Sequence, residues 1–226
     1  PVEQSNNDAG SSGAVYVCVK AIDGWNQEAY IKASNTESAD LFGSKVAISG
    51  DTIAIGAIGE DSNANGVNQD ESNNSSSYSG AVYVFTRQDT SWSQQAYLKA
   101  SNTGANDYFG ATLDISGGTL VVGATRESSN AVGLDGDQEN NLSYQSGASY
   151  VFQRDISNEW NQTAYIKAPN AERDDLFSSG IALDENTLVV GAPSEDSGTT
   201  GINGAQNDTN SLSGSGATYI YYMPNE

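Results

Sequence analysis

One short phrase occurs four times in this sequence. Ser12-Gly13-Ala14-Val15-Tyr16-Val17 returns as Ser79-Gly80-Ala81-Val82-Tyr83-Val84, as Ser146-Gly147-Ala148-Ser149-Tyr150-Val151 and as Ser215-Gly216-Ala217-Thr218-Tyr219-Ile220. The glycines stand 67, 67 and 69 residues apart. A period held that closely restricts the chain to a repeat architecture, in which each unit buries against its neighbours an apolar face it cannot bury alone.

Each unit carries four strand-like runs. Ala29-Tyr30-Ile31-Lys32-Ala33 is matched by Ala96-Tyr97-Leu98-Lys99-Ala100 and Ala164-Tyr165-Ile166-Lys167-Ala168, with the alternation of a half-buried strand. A second run follows Phe42-Gly43, Phe109-Gly110 and Phe177-Ser178 and includes Val46 and Ile48. The third is Thr52–Ala57, Thr119–Ala124 and Thr187–Ala192, and the fourth is the Gly-Ala-Val-Tyr phrase. The last two are almost continuously apolar and read as strands covered on both faces. Ser49-Gly50-Asp51, Ser116-Gly117-Gly118 and Asp184-Glu185-Asn186 read as tight turns between the second and third runs. Helical periodicity is absent, which makes the fold class all-β.

Between the third and fourth runs lies a long polar loop, Ser62–Tyr78, Ser128–Gln145 and Ser197–Gly214. Each holds an apolar residue in register, in Gly66-Val67-Asn68, Gly133-Leu134-Asp135 and Gly201-Ile202-Asn203. Such a residue in a polar loop predicts an ordered loop docked by an apolar anchor. With the loop set aside, a unit has about the 40–50 residues of a four-stranded propeller blade. The expectation is a single array over 1–226 of three tandem blades, about 13–80, 81–147 and 148–216, flanked by partial repeats. Three blades leave the ring incomplete, since closed rings hold about four to eight. Trp25, Trp92 and Trp160 are expected in the connection before the first run, capping the gap between blades. Gly56, Gly123 and Gly191 are expected where backbones approach closely.

The net charge is −20, from 29 acidic and 9 basic residues with no histidine. A surface that acidic repels nucleic acid and anionic membranes. No apolar stretch approaches the roughly 18 residues of a membrane helix, so no membrane insertion is expected. One cysteine, Cys18, excludes an internal disulfide; it falls where the other copies carry Phe85, Phe152 and Tyr221 and reads as a packed core thiol. Without histidine, Ser-His-Asp, Cys-His and histidine-ligated metal chemistry are all excluded. No enzymatic activity is expected.

The order Phe-Gly, then Gly-Ala, then Gly-Ala-Val-Tyr-Val-Phe resembles FG-GAP repeats, the blades of integrin α-chain propellers and of many bacterial surface proteins. It is carried by Phe42-Gly43 with Gly56-Ala57, Phe109-Gly110 with Gly123-Ala124, and Phe177 with Gly191-Ala192-Pro193. The integrin-type Asp-x-Asp-x-Asp-Gly calcium loop between these landmarks is replaced here by the tight turn. The chain is therefore similar to the bacterial subgroup that lacks the usual calcium loop. The resemblance implies an extracellular or cell-surface module for adhesion, scaffolding or self-assembly. Its partners would be other protein chains or copies of itself, engaged through a loop face and blade edges.

Oxygen-rich positions nonetheless recur. Glu60-Asp61, Glu127 and Glu195-Asp196 follow the third run, and Asn68, Asp135, Asp137 and Asn203 lie inside the loops. These residue types could supply the six to eight oxygens of a Ca²⁺ site, or simply close local turns. With calcium, the alternative function is a carbohydrate-binding propeller module. Tyr78 and Tyr144, late in the first two loops, are the candidate ligand contacts. Asp40, Asp107 and Asp175, each two residues before the phenylalanine, read as turn-capping carboxylates. Lys32, Lys99 and Lys167 read as lysines that snorkel along a strand face or pair with an acidic loop.

Overall fold

The computed structural model describes residues 8–204 and 212–223, and the described residues form strands, turns and loops without a helix. Thirteen strands run in order: β1 (Val15–Ala21), β2 (Gly24–Ile31), β3 (Phe42–Ser49), β4 (Thr52–Ala57), β5 (Ala81–Gln88), β6 (Ser91–Leu98), β7 (Phe109–Ser116), β8 (Thr119–Ala124), β9 (Ala148–Arg154), β10 (Trp160–Ile166), β11 (Gly180–Asp184), β12 (Thr187–Ala192) and β13 (Ala217–Tyr222). They make four antiparallel meanders: β1-β2, β3-β4-β5-β6, β7-β8-β9-β10 and β11-β12-β13. No ring closes among the described residues, as expected of an incomplete propeller.

A period has no phase of its own, and the sheets supply one. Each complete sheet starts at a phenylalanine and ends at the Tyr-aliphatic-Lys run, so the Gly-Ala-Val-Tyr strand lies third in its sheet. The turns after β3 and β7 close on Gly50 and Gly117 at φ 56° and 57°, and the turn after β11 closes on Glu185 at φ 50°.

Successive sheets stack face to face with a core in each gap. Val17, Ile31, Phe42, Ile53, Tyr83 and Phe85 fill the first gap. Val82, Leu98, Phe109, Leu120, Tyr150 and Trp160 fill the second, and Val121, Ile166, Phe177, Leu188 and Tyr219 the third. β4 is buried along its whole length, which explains its unbroken apolar run. Each landmark phenylalanine lies edge-on to the tyrosine of its own sheet, Phe42 to Tyr83 at 5.4 Å and Phe109 to Tyr150 at 5.4 Å.

The two recurrent phrases are halves of one joint. The Phe109 amide donates to the Ser79 carbonyl at 2.9 Å, and Phe177 does the same to Ser146 at 3.0 Å. Thus the start of one sheet is tied to the turn before the third strand of the sheet behind it. A Cβ on Gly80 would stand 2.1 Å from the Phe109 carbonyl oxygen, at a backbone φ of +79°, so only glycine fits. Gly56 serves the same close approach one strand earlier, 2.3 Å from the Gly110 oxygen by the same measure. Ser178, which stands where the other copies have glycine, keeps the left-handed backbone at φ 77° and shares a 2.8 Å hydroxyl contact with Ser149.

Three expectations are corrected. The tryptophans do not precede a strand; they lie at the start of the fourth strands β2, β6 and β10. Trp92 and Trp160 still bridge sheets, donating through Nε1 to Glu28 at 2.9 Å and to Gln95 at 2.8 Å on the fourth strand behind. Cys18 is exposed rather than packed, because it lies on the side of β1 that faces away from the second sheet, and among the described residues no sheet packs there as one does on Phe85 and Phe152. Val67 packs on the core as an anchor, but Leu134 is exposed, and that loop is held by main-chain bonds instead.

Candidate functional site

The polar interior is built once per sheet from the same parts. In the second sheet, Glu60 lies just past β4 and Lys99 just past β6, and the lysine Nζ donates to the Glu60 carboxylate at 2.9 Å and to Ser79 Oγ at 2.7 Å. Both side chains are buried. The other Glu60 oxygen accepts from Asn35 Nδ2, and the Tyr83 hydroxyl donates to Asn35 Oδ1 at 2.5 Å. Asn35 belongs to the linker from the sheet behind, so the cluster pins two sheets together.

The third sheet repeats the arrangement. Lys167 donates to Glu127 at 2.7 Å and to Ser146 Oγ at 2.6 Å, while Asn102 joins Glu127 at 3.1 Å and Tyr150 at 2.6 Å. The fourth holds Asn170 against Glu195 at 2.8 Å and against Tyr219 at 2.6 Å. Asn35, Asn102 and Asn170 carried no weight in the sequence reading. Their signal was nonetheless present, since each follows the recurrent Lys-Ala pair at the same offset.

Buried ions are tolerated when paired and hydrogen-bonded, and the Lys99–Glu60 and Lys167–Glu127 pairs meet that condition. Burial holds the Lys99 and Lys167 ammonium groups below their ordinary value, with Glu60 and Glu127 pulling the other way. Of the two readings for these lysines, the structure adopts pairing with the acidic loop. Tyr97 and Tyr150 are pushed far up, first by burial and then by the neighbouring carboxylates Glu60 and Glu127.

Asp40 and Asp175 act as turn caps, accepting the amides of Glu37 at 2.6 Å and of Glu172 at 2.7 Å. Asp107 takes the corresponding amide of Gly104. Desolvation, the largest cause in all three, raises Asp40 and Asp175 to about 6 and Asp107 to about 7.

The remaining candidate ligands are engaged by their own loops. Asp61 accepts the Tyr78 amide and Asp196 the Gly214 amide, both at 2.7 Å, which closes the long loop on itself. Asn68 and Asp135 accept the amides of Tyr97 and Tyr165 at 2.9 Å, splinting the loop to the end of the fourth strand. Asp137 accepts the Glu139 amide at 3.0 Å. Asn203 matches Asn68 in backbone, with φ 55° against 53°. Among the described residues no three acidic or cysteine side chains converge as a metal-binding group.

The loop face itself presents aromatic rings and guanidinium groups. Tyr78 is exposed and packs at 5.8 Å on Tyr108, over which the Arg126 guanidinium lies at 4.3 Å. Tyr144 is exposed beneath Arg173 at 5.1 Å. Because the β4–β5, β8–β9 and β12–β13 loops leave equivalent strand ends, they share this side of the stack.

Comparison with known proteins agrees with the geometry. A family model described as FG-GAP repeat matches residues 25–85, 92–152 and 160–221. The chain belongs to the FG-GAP repeat family. Each match runs from the fourth-strand tryptophan into the following Gly-Ala-Val-Tyr strand, and so spans the joint between two sheets. Among individually curated proteins none matches the sequence. FG-GAP repeat propellers are typically non-catalytic interaction modules and are typically found in extracellular or surface proteins.

Proposed function

We propose that this FG-GAP array is a non-enzymatic adhesion, scaffolding or assembly module that works outside the cell through its loop face and its open blade edges. The observation that carries this reading is the division of polar groups. The buried glutamates and lysines are consumed in holding sheets together, whereas the exposed loop side displays tyrosines stacked with arginines. Tyrosine and arginine are the residue types that dominate protein-recognition hot spots. Asp61, Asn68, Asp135, Asp137 and Asp196, which a calcium-dependent lectin could use as ligands, accept loop or strand amides, which favours the interaction reading.

The test is retention of chain-coated beads on protein-coated and cell surfaces. Replacing Tyr78 and Tyr144 by alanine together is expected to lower retention severalfold, and a calcium chelator to leave it unchanged. Retention that the chelator abolishes would instead favour the carbohydrate-binding alternative.

A further inference from the structure

Two successive joints of the array carry an arginine in the same seat, and only one of the two arginines is given acids. Where the first and second sheets meet, on the side of the tight turns, Arg87 of β5 donates to Asp51 through Nε at 2.7 Å and Nη2 at 2.6 Å and reaches Glu28 at 3.3 Å. Its guanidinium lies 5.5 Å from the centre of the Trp92 ring.

Arg154 of β9 repeats this placement where the second and third sheets meet. Its amide donates to the Gly118 carbonyl at 2.8 Å, as that of Arg87 does to Asp51 at 2.8 Å, and its guanidinium lies 5.7 Å from the centre of the Trp160 ring. Both acids are replaced there. Gly118 stands where the preceding turn has Asp51, and Gln95 where the preceding fourth strand has Glu28. Gln95 is engaged elsewhere, its Oε1 accepting from Trp160 at 2.8 Å and its Nε2 donating to the Asn158 carbonyl at 3.2 Å. Arg154 forms no ion pair among the described residues, and its side-chain acceptor is Thr52 Oγ1 at 3.2 Å.

The place an acid would take beside Arg154 is open. A Cβ on Gly118 would meet nothing nearer than the Arg154 carbonyl oxygen at 3.7 Å, so a side chain fits there as Asp51 fits beside Arg87. The half-buried guanidinium lines a polar cleft of about 540 Å³, whose walls include Ser49, Asp51, Thr52, Arg87 and Gln95. Asp51 is the acid on that wall, and Arg87 holds it.

A guanidinium is permanently charged and offers five N–H donors in a planar fork that matches a carboxylate. Hydrogen bonds of that kind are roughly twice as strong as neutral ones. The charge of −20 restricts which anion can use the fork. Charges are screened beyond about 8 Å at physiological ionic strength, so a lone carboxylate inside the cleft meets mainly the two arginines. A polyanion reaching beyond the cleft meets the acidic surface and is repelled.

We propose that the cleft between the second and third sheets is a recognition site for a single Asp or Glu side chain of a partner protein, seated on Arg154 as Asp51 is seated on Arg87. The tight turns and the long loops leave opposite ends of the strands. The site therefore adds a second contact face to the array and does not depend on the loop-face reading above.

The four arginines of the chain make its arginine Nε–Hε signals few enough to follow one by one in a ¹⁵N-labelled sample. Titration with the peptide acetyl-Gly-Ser-Glu-Ser-Gly-amide is expected to move the Arg154 signal to saturation at millimolar concentration, and to move Arg126 and Arg173 far less. The same peptide with Gln in place of Glu should leave Arg154 unmoved. Gly118→Asp should fill the site from within and weaken the peptide at least tenfold, and Arg154→Gln should abolish its binding. An Arg154 signal that ignores the Glu peptide, or follows the Gln peptide equally, would overturn the site on the unaltered chain, whatever the variants do. Displacement of the peptide by sodium sulfate at a lower concentration than sodium acetate requires would overturn the carboxylate assignment in favour of a sulfated or phosphorylated partner. Either failure leaves the bead assay, which reads Tyr78 and Tyr144, to decide the loop face by itself.

Discussion

The third and fourth sheets differ in one side chain at the same buried site, and the difference shows what builds it. Glu127 lies between Asn102 and Lys167; Glu195 has Asn170 and the Ser197 amide but no lysine. The asparagine–tyrosine contact is 2.6 Å in both. The linker asparagine and the loop amide therefore hold the carboxylate in the same way with or without the lysine.

The sharpest way to break the comparison is to remove the lysine where it is seated and where it is not. Lys99→Met leaves Glu60 buried without a counter-ion, and removal of one partner of a buried pair costs about 3–5 kcal/mol. Lys32→Met strands no buried carboxylate among the described residues but loses the bonds to Ser12 Oγ and the Gly13 carbonyl, and should cost less, about 1.5–3 kcal/mol. Urea unfolding of the two variants, followed by tyrosine and tryptophan fluorescence, reads the contrast. Pairing Lys99→Met with Glu60→Gln should recover most of the loss, since no charge is then left alone.

The caps between sheets titrate differently with depth, which gives a second and somewhat smaller contrast. Asp107 is raised to about 7, first by burial and then by Glu127, with Lys167 and Lys99 opposing. Asp40 and Asp175 reach about 6. A carboxyl raised in the folded state binds its proton more tightly there than in the unfolded chain. Its contribution is complete below pH 4 and is lost as pH rises through 6 to 7. Asp107→Asn should therefore gain on the parent chain by roughly 2–4 kcal/mol between pH 4 and pH 8. Asp40→Asn should gain less and reach its plateau earlier. Denaturation midpoints for the three chains at matched ionic strength, showing no divergence with pH, would sink the assignment.

Much of this was legible in the sequence, for physical reasons that differ by residue. The period, the four strands and the family follow from apolar runs and glycines whose backbones must touch, as at Gly80 against Phe109. Capping by Asp40 was legible because a turn carboxylate acts within three residues of itself. The Glu60–Lys99 pair was only half legible. The lysine's affinity for an acidic loop was evident, but a partner 39 residues away is set by sheet curvature rather than by pattern. Asn35 was overlooked because its partners Tyr83 and Glu60 lie on the next sheet. Cys18 was misplaced because an aromatic slot implies burial only where another sheet packs behind it.

The smallest expected effect tests whether the fourth sheet's outer face is open. Gly56 and Gly191 occupy the same position on the second strands of their sheets. A Cβ on Gly56 would meet the Gly110 carbonyl of the next sheet at 2.3 Å, and backbone cannot retreat without separating the sheets. Gly56→Ala should thus cost about 1–3 kcal/mol, the range for overpacking a filled core. The nearest atom to a Cβ on Gly191 is 3.8 Å away and belongs to its own sheet. Since alanine loses less chain entropy than glycine on entering a strand, Gly191→Ala should be neutral or stabilising by about 0.5 kcal/mol in dilute solution. Thermal unfolding at low and high protein concentration separates the intrinsic effect from association. A penalty for Gly191→Ala that emerges only at high concentration would mean that another chain's backbone reaches Gly191 as Gly110 reaches Gly56. The same small benefit at both concentrations would mean that no second chain stacks on this face.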